Sequence, residues 1–243
     1  MTGPADRATA CATVSAASGP LLVPLLGLLP VLLLANLAQF RLSPWTIAIG
    51  LLLTAALAGI AHWSGLGPAD LGLGRGSMSA GLRWGGVFAS LAAAAYGAAL
   101  LVPAGRAAVT GSASNSWSAV LWSMLVVIPL GTVIPEELAF RGVLWGLLRH
   151  RSGPRVATLA SSALFGVWHV APAIGGGAAN AAVSDAVGGG PAGMLFRVGI
   201  TVLFTAFAGV VLCVLRWRSD SLLAPAIAHW SVNAFGLLFV QIA

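Results

Sequence analysis

Seven stretches of this 243-residue chain run for about 20 residues or more with few or no charged side chains. A helix needs about 20 apolar residues to cross the hydrocarbon core of a bilayer. The pattern therefore predicts an all-α, polytopic transmembrane helical bundle of seven spans, or eight if the long fourth stretch divides at its prolines. The predicted spans are residues 20–39, 44–63, 84–102, 119–148, 154–171, 194–215 and 222–242.

The composition excludes a soluble fold. Charged residues make up only 7% of the chain and hydrophobic residues 58%, whereas a soluble domain carries roughly 25% charged residues. All twelve basic residues are arginines, and they stand singly or in small groups between apolar stretches. The net charge of +6 is therefore typical of topology signals and not of nucleic-acid binding. Cys11 and Cys213 lie in unrelated places, which argues against a disulfide framework.

The distribution of arginines predicts the orientation. If the N-terminus lies in the cytoplasm and the chain crosses seven times, the outside receives only Arg41 and Arg106. An excess of positive charge marks cytoplasmic loops. We therefore expect a multi-pass protein of the cell membrane with a cytoplasmic N-terminus. The arginines assigned to the inside are Arg7, Arg75, Arg83, Arg149, Arg151, Arg155, Arg216 and Arg218.

Strongly polar side chains lie inside three of the predicted spans. Glu136 and Glu137 are in the fourth span, His169 is in the fifth, and His229 and Asn233 are in the seventh. At about 1.5 Å per residue, Glu136, both histidines and Asn233 lie about 17–23 Å from the inner ends of their helices. Ionisable groups at such depth are costly and are usually functional or paired. We predict one shared site, although a polar network that only holds helices together is the alternative.

Helical spacing separates the two glutamates. Glu137 and Arg141 are four residues apart with the acid first, which favours an ion pair on one helix face. Glu136 is rotated by about 100° from that face. It has no partner on its own helix and is available to bind a water molecule or a metal ion.

The two intramembrane histidines also have neighbours at helical spacing. Phe165 precedes His169 by four residues, so the phenyl ring can pack beneath the imidazole. His229 precedes Asn233 by four residues, so an imidazole and an amide face the same cavity.

These motifs resemble those of the CPBP family, which comprises type II CAAX prenyl endopeptidases and bacterial ABI (bacteriocin-processing or self-immunity) proteins. The resemblance covers residues 119–236. It implies a catalytic transmembrane core at 119–243, and composition and hydropathy predict a cytoplasmic lead-in at residues 1–18 and accessory transmembrane helices at 19–118. The matching patterns are Glu136-Glu137-x-x-x-Arg141-Gly142, Phe165-x-x-x-His169 and His229-x-x-x-Asn233.

The activity that the resemblance implies is intramembrane proteolysis. Amide hydrolysis needs an activated water and a stabilised oxyanion. We expect Glu136 and His169 to activate the water, and His229 and Asn233 to stabilise the oxyanion. The supporting residues are Glu137, Arg141 and Phe165.

Zinc is an open alternative for the chemistry. The family is often called a metalloprotease family, and two histidines with one carboxylate form a familiar hydrolytic zinc set. The possible ligands are Glu136, His169 and His229. The sequence does not choose between metal-free and zinc-assisted hydrolysis.

The expected partners are the lipid bilayer and a membrane-associated or prenylated protein or peptide substrate. Two other functions fit the residues. One is a non-catalytic membrane immunity or scaffold protein of the same fold. The other is a proton-coupled transporter, which would explain buried glutamate and histidine, but the chain has no helix-breaking repeats in matching halves.

Overall fold

The computed structural model describes residues 22–107, 116–174 and 190–242, and in these ranges it consists of helices and connections without a strand. Six helical segments are long and apolar enough to cross a membrane. Their outer faces carry large apolar side chains such as Leu52 and Leu203, which are 71% and 72% exposed. Such a surface fits lipid and not water, so the chain is a multi-pass membrane protein. The segments are α1 (Leu22–Arg41), α2 (Thr46–Trp63), α3 (Met78–Leu101), α4 (Trp117–Ile174), α5 (Pro191–Ser219) and α6 (Leu223–Ile242).

Segment α4 crosses the membrane twice. It contains 58 residues, which is nearly three times the length that one crossing needs. The helix breaks at Gly153, whose φ of 77° and ψ of 169° are open essentially only to glycine. We call residues 117–152 the first arm and residues 154–174 the second arm. The six segments therefore make seven crossings, as the sequence predicted.

Three loops that should share one side of the membrane do lie together. The guanidinium of Arg216 donates to the carbonyl of Asp70 at 2.9 Å, and the Asp70 carboxylate contacts His150 at 2.8 Å. The backbone N–H of Leu222 donates to the carbonyl of Gly72 at 2.8 Å. The α2–α3 loop, the Gly153 turn and the α5–α6 turn thus meet at one end, which we call the inner end.

Several boundaries differ from the prediction. Helix α3 begins at Met78 and not at residue 84, and its first turns pack on α6: a Cβ at Gly85 would lie 2.8 Å from the Ile227 side chain. Helix α5 extends from Pro191 to Ser219, beyond its apolar stretch at both ends. The connection between the third and fourth predicted spans contains a short helix, Pro103–Ala107. Residues 1–18, and most of the connection between the fifth and sixth predicted spans, lie outside the described residues.

The first arm accommodates its prolines without dividing. It is α-helical at Trp117–Trp122 and Ile134–Glu137 but π-helical at Ser123–Val133 and Leu138–Leu144. Proline removes a backbone donor from the α-helical pattern, and the wider π turn bonds each carbonyl five residues on instead. Short π segments often occur at functional sites, and here they flank both glutamates.

Close packing fixes the turn that precedes the glutamates. Gly131 lies directly on α2, where an added Cβ would be 2.6 Å from the Thr46 side chain. Below this contact the main core joins α1, α2, both arms and α5 through buried side chains such as Leu57, Phe140, Phe165 and Leu212. The segment that carries Glu136 and Glu137 is therefore held from several sides.

Candidate active site

Glu137 is the centre of a buried charged network. Its Oε1 accepts a hydrogen bond from Arg141 Nη1 at 3.0 Å and one from His229 Nδ1 at 2.7 Å. Arg141 is completely buried, and Nη2 donates to the carbonyl of Gly209 on α5 at 3.4 Å. The structure therefore contains the Glu137–Arg141 pair that the spacing favours, and it adds His229 to that pair.

Glu136 forms no hydrogen bond within this network and has a different partner. Its Oε1 accepts a hydrogen bond from the indole Nε1 of Trp168 at 3.0 Å. Its Oε2 is buried and has no hydrogen-bond partner among the described residues. That oxygen lies 4.0 Å from Nε2 of His229. One carboxylate oxygen is thus held, and the other lies near an imidazole nitrogen without a hydrogen bond to the described residues.

Glu137 also has one unpartnered oxygen, but its setting is different. Glu137 is only 1% exposed, and its other oxygen carries two charge-assisted contacts, from Arg141 and His229. Such contacts neutralise a carboxylate and fix its orientation. Glu136 forms no ion pair shorter than its 4.0 Å approach to His229, and it is the acid better placed to accept a proton.

Phe165 connects the two histidines. Its ring lies edge-on to His169 with centroids 4.6 Å apart and to His229 with centroids 5.8 Å apart. The guanidinium of Arg141 lies 4.1 Å from the centre of the same ring, at cation–π distance. Phe165 therefore lies between the two imidazoles and contacts both of them.

The hydrogen bonds of both histidines fix which ring nitrogen is available. His169 Nδ1 lies 2.7 Å from the carbonyl of Phe165, so Nδ1 carries the proton and Nε2 is free. His229 Nδ1 lies 2.7 Å from a carboxylate, so in the neutral ring Nε2 again holds a lone pair. Asn233 is half-buried and forms no hydrogen bond with the described residues, so its amide is also available.

The possible zinc ligands do not form a metal site in this arrangement. Glu136 Oε2 and His229 Nε2 are 4.0 Å apart, whereas two ligands of tetrahedral zinc at about 2.0–2.1 Å lie nearer 3.4 Å from each other. Among the described residues no group of three His, Cys, Asp or Glu side chains could hold a metal ion. The geometry of Glu136, His169 and His229 therefore does not support the metalloprotease interpretation.

Trp168 and Asn36 contribute to the site, although the sequence motifs do not include them. Trp168 binds Glu136, and its own carbonyl accepts a hydrogen bond from the Asn36 side chain on α1 at 2.9 Å. A buried indole N–H usually finds a partner. Glu136 has no partner on its own helix and lies at a similar depth to Trp168. The sequence could therefore have predicted that this indole donates to Glu136.

The fold and these residues define a membrane-embedded helical bundle with a buried glutamate–histidine site. Residues 117–235 match the family model described as type II CAAX prenyl endopeptidase, Rce1-like. This match, over about half of the chain, supports the membership of the CPBP family that the motifs indicated, and the matched family is one of membrane endopeptidases. All four residues expected to be catalytic lie within the match. No curated protein and no solved structure is significantly similar to the chain.

Proposed function

We propose that this protein is an intramembrane endopeptidase that hydrolyses a peptide bond with a water molecule activated by Glu136 and His229. The observation that carries the proposal is the approach of the unpartnered Glu136 Oε2 to His229 Nε2. The two atoms are 4.0 Å apart, and a single water lying about 2.8 Å from both would donate one hydrogen to each. The oxygen lone pairs of that water would then be directed away from both acceptors and toward a substrate.

The reaction follows from these contacts. Glu136 Oε2 takes a proton from the water, and the resulting hydroxide attacks the scissile carbonyl carbon. The amide of Asn233 donates to the oxyanion of the tetrahedral intermediate. Glu136 then returns the proton to the departing amine nitrogen, which leaves a carboxylic acid and an amine.

The two histidines take different roles in this mechanism. His229 is held by Glu137 and contacts the water, in place of the oxyanion role that the sequence suggested. The free Nε2 of His169 can accept a hydrogen bond from the substrate backbone N–H. This division follows from distance, because His229 is the histidine that approaches Glu136.

The proposed substrate is a membrane-associated peptide, with a prenylated protein as the finer form of the proposal. An apolar hollow of about 340 Å³ lies between the first arm and α6, and its lining residues Ile134 and Trp230 are two residues and one residue away from Glu136 and His229 along the chain. Ile134 at its edge is 43% exposed, so the hollow meets the lipid-facing surface. Its lining includes Pro129, Val133, Ile134, Ile227 and Trp230.

We also propose that the inner end faces the cytoplasm of a cell-membrane protein. Arg149, Arg216 and Arg218 lie near this end, in agreement with the positive-inside rule. In a variant with Cys11 replaced by serine, an impermeant thiol reagent should reach a cysteine at Ala104 from outside the cell. It should reach a cysteine at Ser152 only after the membrane is permeabilised, and the opposite pattern would invert the orientation.

The deciding experiment is cleavage of a quenched fluorescent peptide by the purified protein in detergent, with prenylated and unprenylated peptides and with and without a chelator. Wild-type protein should cleave with the chelator present, and Glu136→Gln should not cleave. Asp220→Asn is the matched control, because it makes the same chemical change at a site that is 69% exposed at the inner end. A folded wild-type protein that cleaves no peptide would favour the scaffold function, and loss of cleavage on chelation would overturn the metal-free mechanism.

A further inference from the structure

The second arm carries a backbone carbonyl that its own helix cannot satisfy. In an α-helix the carbonyl of Trp168 would accept from the N–H of residue 172, but residue 172 is proline and has no N–H. The Asn36 side chain donates to this carbonyl at 2.9 Å. The next carbonyl, that of His169, is bonded normally to the N–H of Ala173 at 3.0 Å. Asn36 thus replaces one missing backbone donor.

The first arm shows a related contact at the other motif. The carbonyl of Gly131 belongs to the π-helical stretch, whose register passes over Pro135, the residue that would donate in α-helical register. The Gln39 side chain donates to that carbonyl at 3.1 Å. Pro135 immediately precedes Glu136, and Pro172 follows His169 by three residues. Each proline therefore weakens the backbone next to a residue of the proposed site.

The two side-chain amides that donate to these carbonyls come from one face of one helix. Asn36 and Gln39 are three residues apart on α1 and both are half-buried, so they project from the same side. Helix α1 lies outside residues 117–235, the part that matches the family. An accessory helix thus contacts both glutamate- and histidine-bearing segments by side-chain amides.

The Asn36 contact leads directly to the proposed base. Asn36 holds the backbone of Trp168, and the indole N–H of Trp168 holds Oε1 of Glu136 at 3.0 Å. With Oε1 occupied, Oε2 is the oxygen that faces His229. The chain of contacts from α1 therefore sets the rotation of the Glu136 carboxylate.

From these contacts we infer that Asn36 and Gln39 are positioning residues for catalysis. The Asn36 amide replaces the backbone donor lost at Pro172 and acts on Glu136 through Trp168, and the Gln39 amide holds the carbonyl of Gly131 in the turn before Glu136. The inference rests on the proposed function for its catalytic consequence. Its structural part, the support of two backbone carbonyls by α1, stands without that function.

The test compares Asn36→Leu and Gln39→Leu with wild type in full-length protein. Because a misplacement of about 1 Å can cost about 100-fold in rate, we expect Asn36→Leu to lower kcat by roughly 10- to 100-fold with little change in KM. Trp168→Phe, which keeps the ring but removes the N–H, should lower kcat similarly. Hydrogen exchange measured by mass spectrometry should accelerate around residues 169–174 in Asn36→Leu and around residues 131–137 in Gln39→Leu.

Two further variants make the test specific. Pro172→Ala restores the missing backbone N–H, so in that background Asn36→Leu should lose much less activity than it does alone. Tyr96→Phe is the matched control. It removes a 3.1 Å bond from the Tyr96 hydroxyl to the Val232 carbonyl on α6, where residue 236 four positions later is glycine and supplies the normal helical donor. Its kcat should match that of wild type.

The outcomes separate the inference from the proposed function. Wild-type protein without activity would refute the proposed function, and local hydrogen exchange would then decide the structural inference alone. Normal kcat and unchanged exchange in Asn36→Leu would overturn the inference while leaving the proposed function intact. An equal loss of kcat in Asn36→Leu with and without Pro172→Ala would also overturn it, because the amide would then act by another route.

Discussion

Two charged clusters in this protein are built from the same parts. Each has an arginine four residues from an acid, an aromatic ring beneath the guanidinium and a histidine hydrogen-bonded to a carboxylate. The central cluster consists of Glu137, Arg141, Phe165 and His229. The inner-end cluster consists of Asp70, Trp145, His150, Arg216 and Asp220.

The clusters differ in their access to water and in what lies beside them. The inner-end carboxylate of Asp220 is 69% exposed and the His150 side chain 54%, whereas Arg141 and Glu137 are 0% and 1% exposed. Beside the central cluster lies a further carboxylate, that of Glu136, with one buried oxygen that has no partner among the described residues, whereas both carboxylates of the inner-end cluster are paired. The comparison teaches that an arginine–acid–histidine unit alone does not make a reactive site, and that the proposed chemistry also needs the acid beside it.

The strongest test of this distinction is Glu136→Gln. If Glu136 is the general base, activity should fall by up to about 10⁴-fold, which corresponds to about 5.5 kcal/mol of activation free energy. The melting temperature in detergent should stay close to that of wild type, because Glu136 forms no close ion pair. Kinetics and thermal unfolding of the same preparation measure both quantities. Retained turnover would remove Glu136 from the catalytic set.

The next largest effect is expected for Glu137→Gln. This change leaves Arg141 buried without its counter-charge, and breaking a buried pair costs about 3–5 kcal/mol of stability. We expect a clearly lower melting temperature, whereas Asp220→Asn should lower it less, because the Asp220 carboxylate is 69% exposed although its partner Arg216 is buried. If Glu136→Gln destabilises the protein more than Glu137→Gln, the roles of the two acids are reversed.

Asn233→Ala tests whether the Asn233 amide donates a hydrogen bond to the oxyanion of the intermediate. Loss of one such donor elsewhere lowers kcat by about 10²–10³-fold, or about 2.7–4 kcal/mol. A residue that only links helices would contribute about 0.6 kcal/mol to stability and leave catalysis nearly normal. The rate per folded molecule, with substrate affinity measured separately, distinguishes these results, and a normal rate would exclude the oxyanion role.

The smallest effect is expected for His150→Ala in the inner-end cluster. Its 2.8 Å contact with Asp70 is solvent-exposed, and such pairs contribute about 0–1 kcal/mol. The melting temperature should change little and activity should not change. A large loss of stability would show that the two clusters are more alike energetically than their exposure indicates.

The fold followed from the sequence because hydropathy alone determines where a chain crosses a membrane. Helical spacing also placed Glu137 beside Arg141, since both are on one helix and four residues apart. It could not tell which glutamate His229 contacts. That choice depends on how α6 is rotated against the first arm, and spacing within either helix does not encode it.

The contacts of Trp168, Asn36 and Gln39 were not predicted for a related reason. Each joins segments that are distant in sequence, and the acceptors of Asn36 and Gln39 are backbone carbonyls close to prolines. The prolines were visible in the sequence as causes of bending. Which side chain would satisfy the carbonyls they leave open depended on how α1 packs against the two arms.

The sequence separation of the partners also bears on how the chain is made. Glu137 and Arg141 are 4 residues apart, Glu136 and Trp168 are 32 apart, and Glu137 and His229 are 92 apart. As the chain leaves the ribosome from its N-terminus, Glu137 meets its counter-charge within one helical turn and can enter the lipid already neutralised. Glu136 must await the hairpin that closes at Gly153, and His229 arrives only with the final helix. The nascent protein therefore completes its reactive centre last, after every other helix that surrounds it has been synthesised.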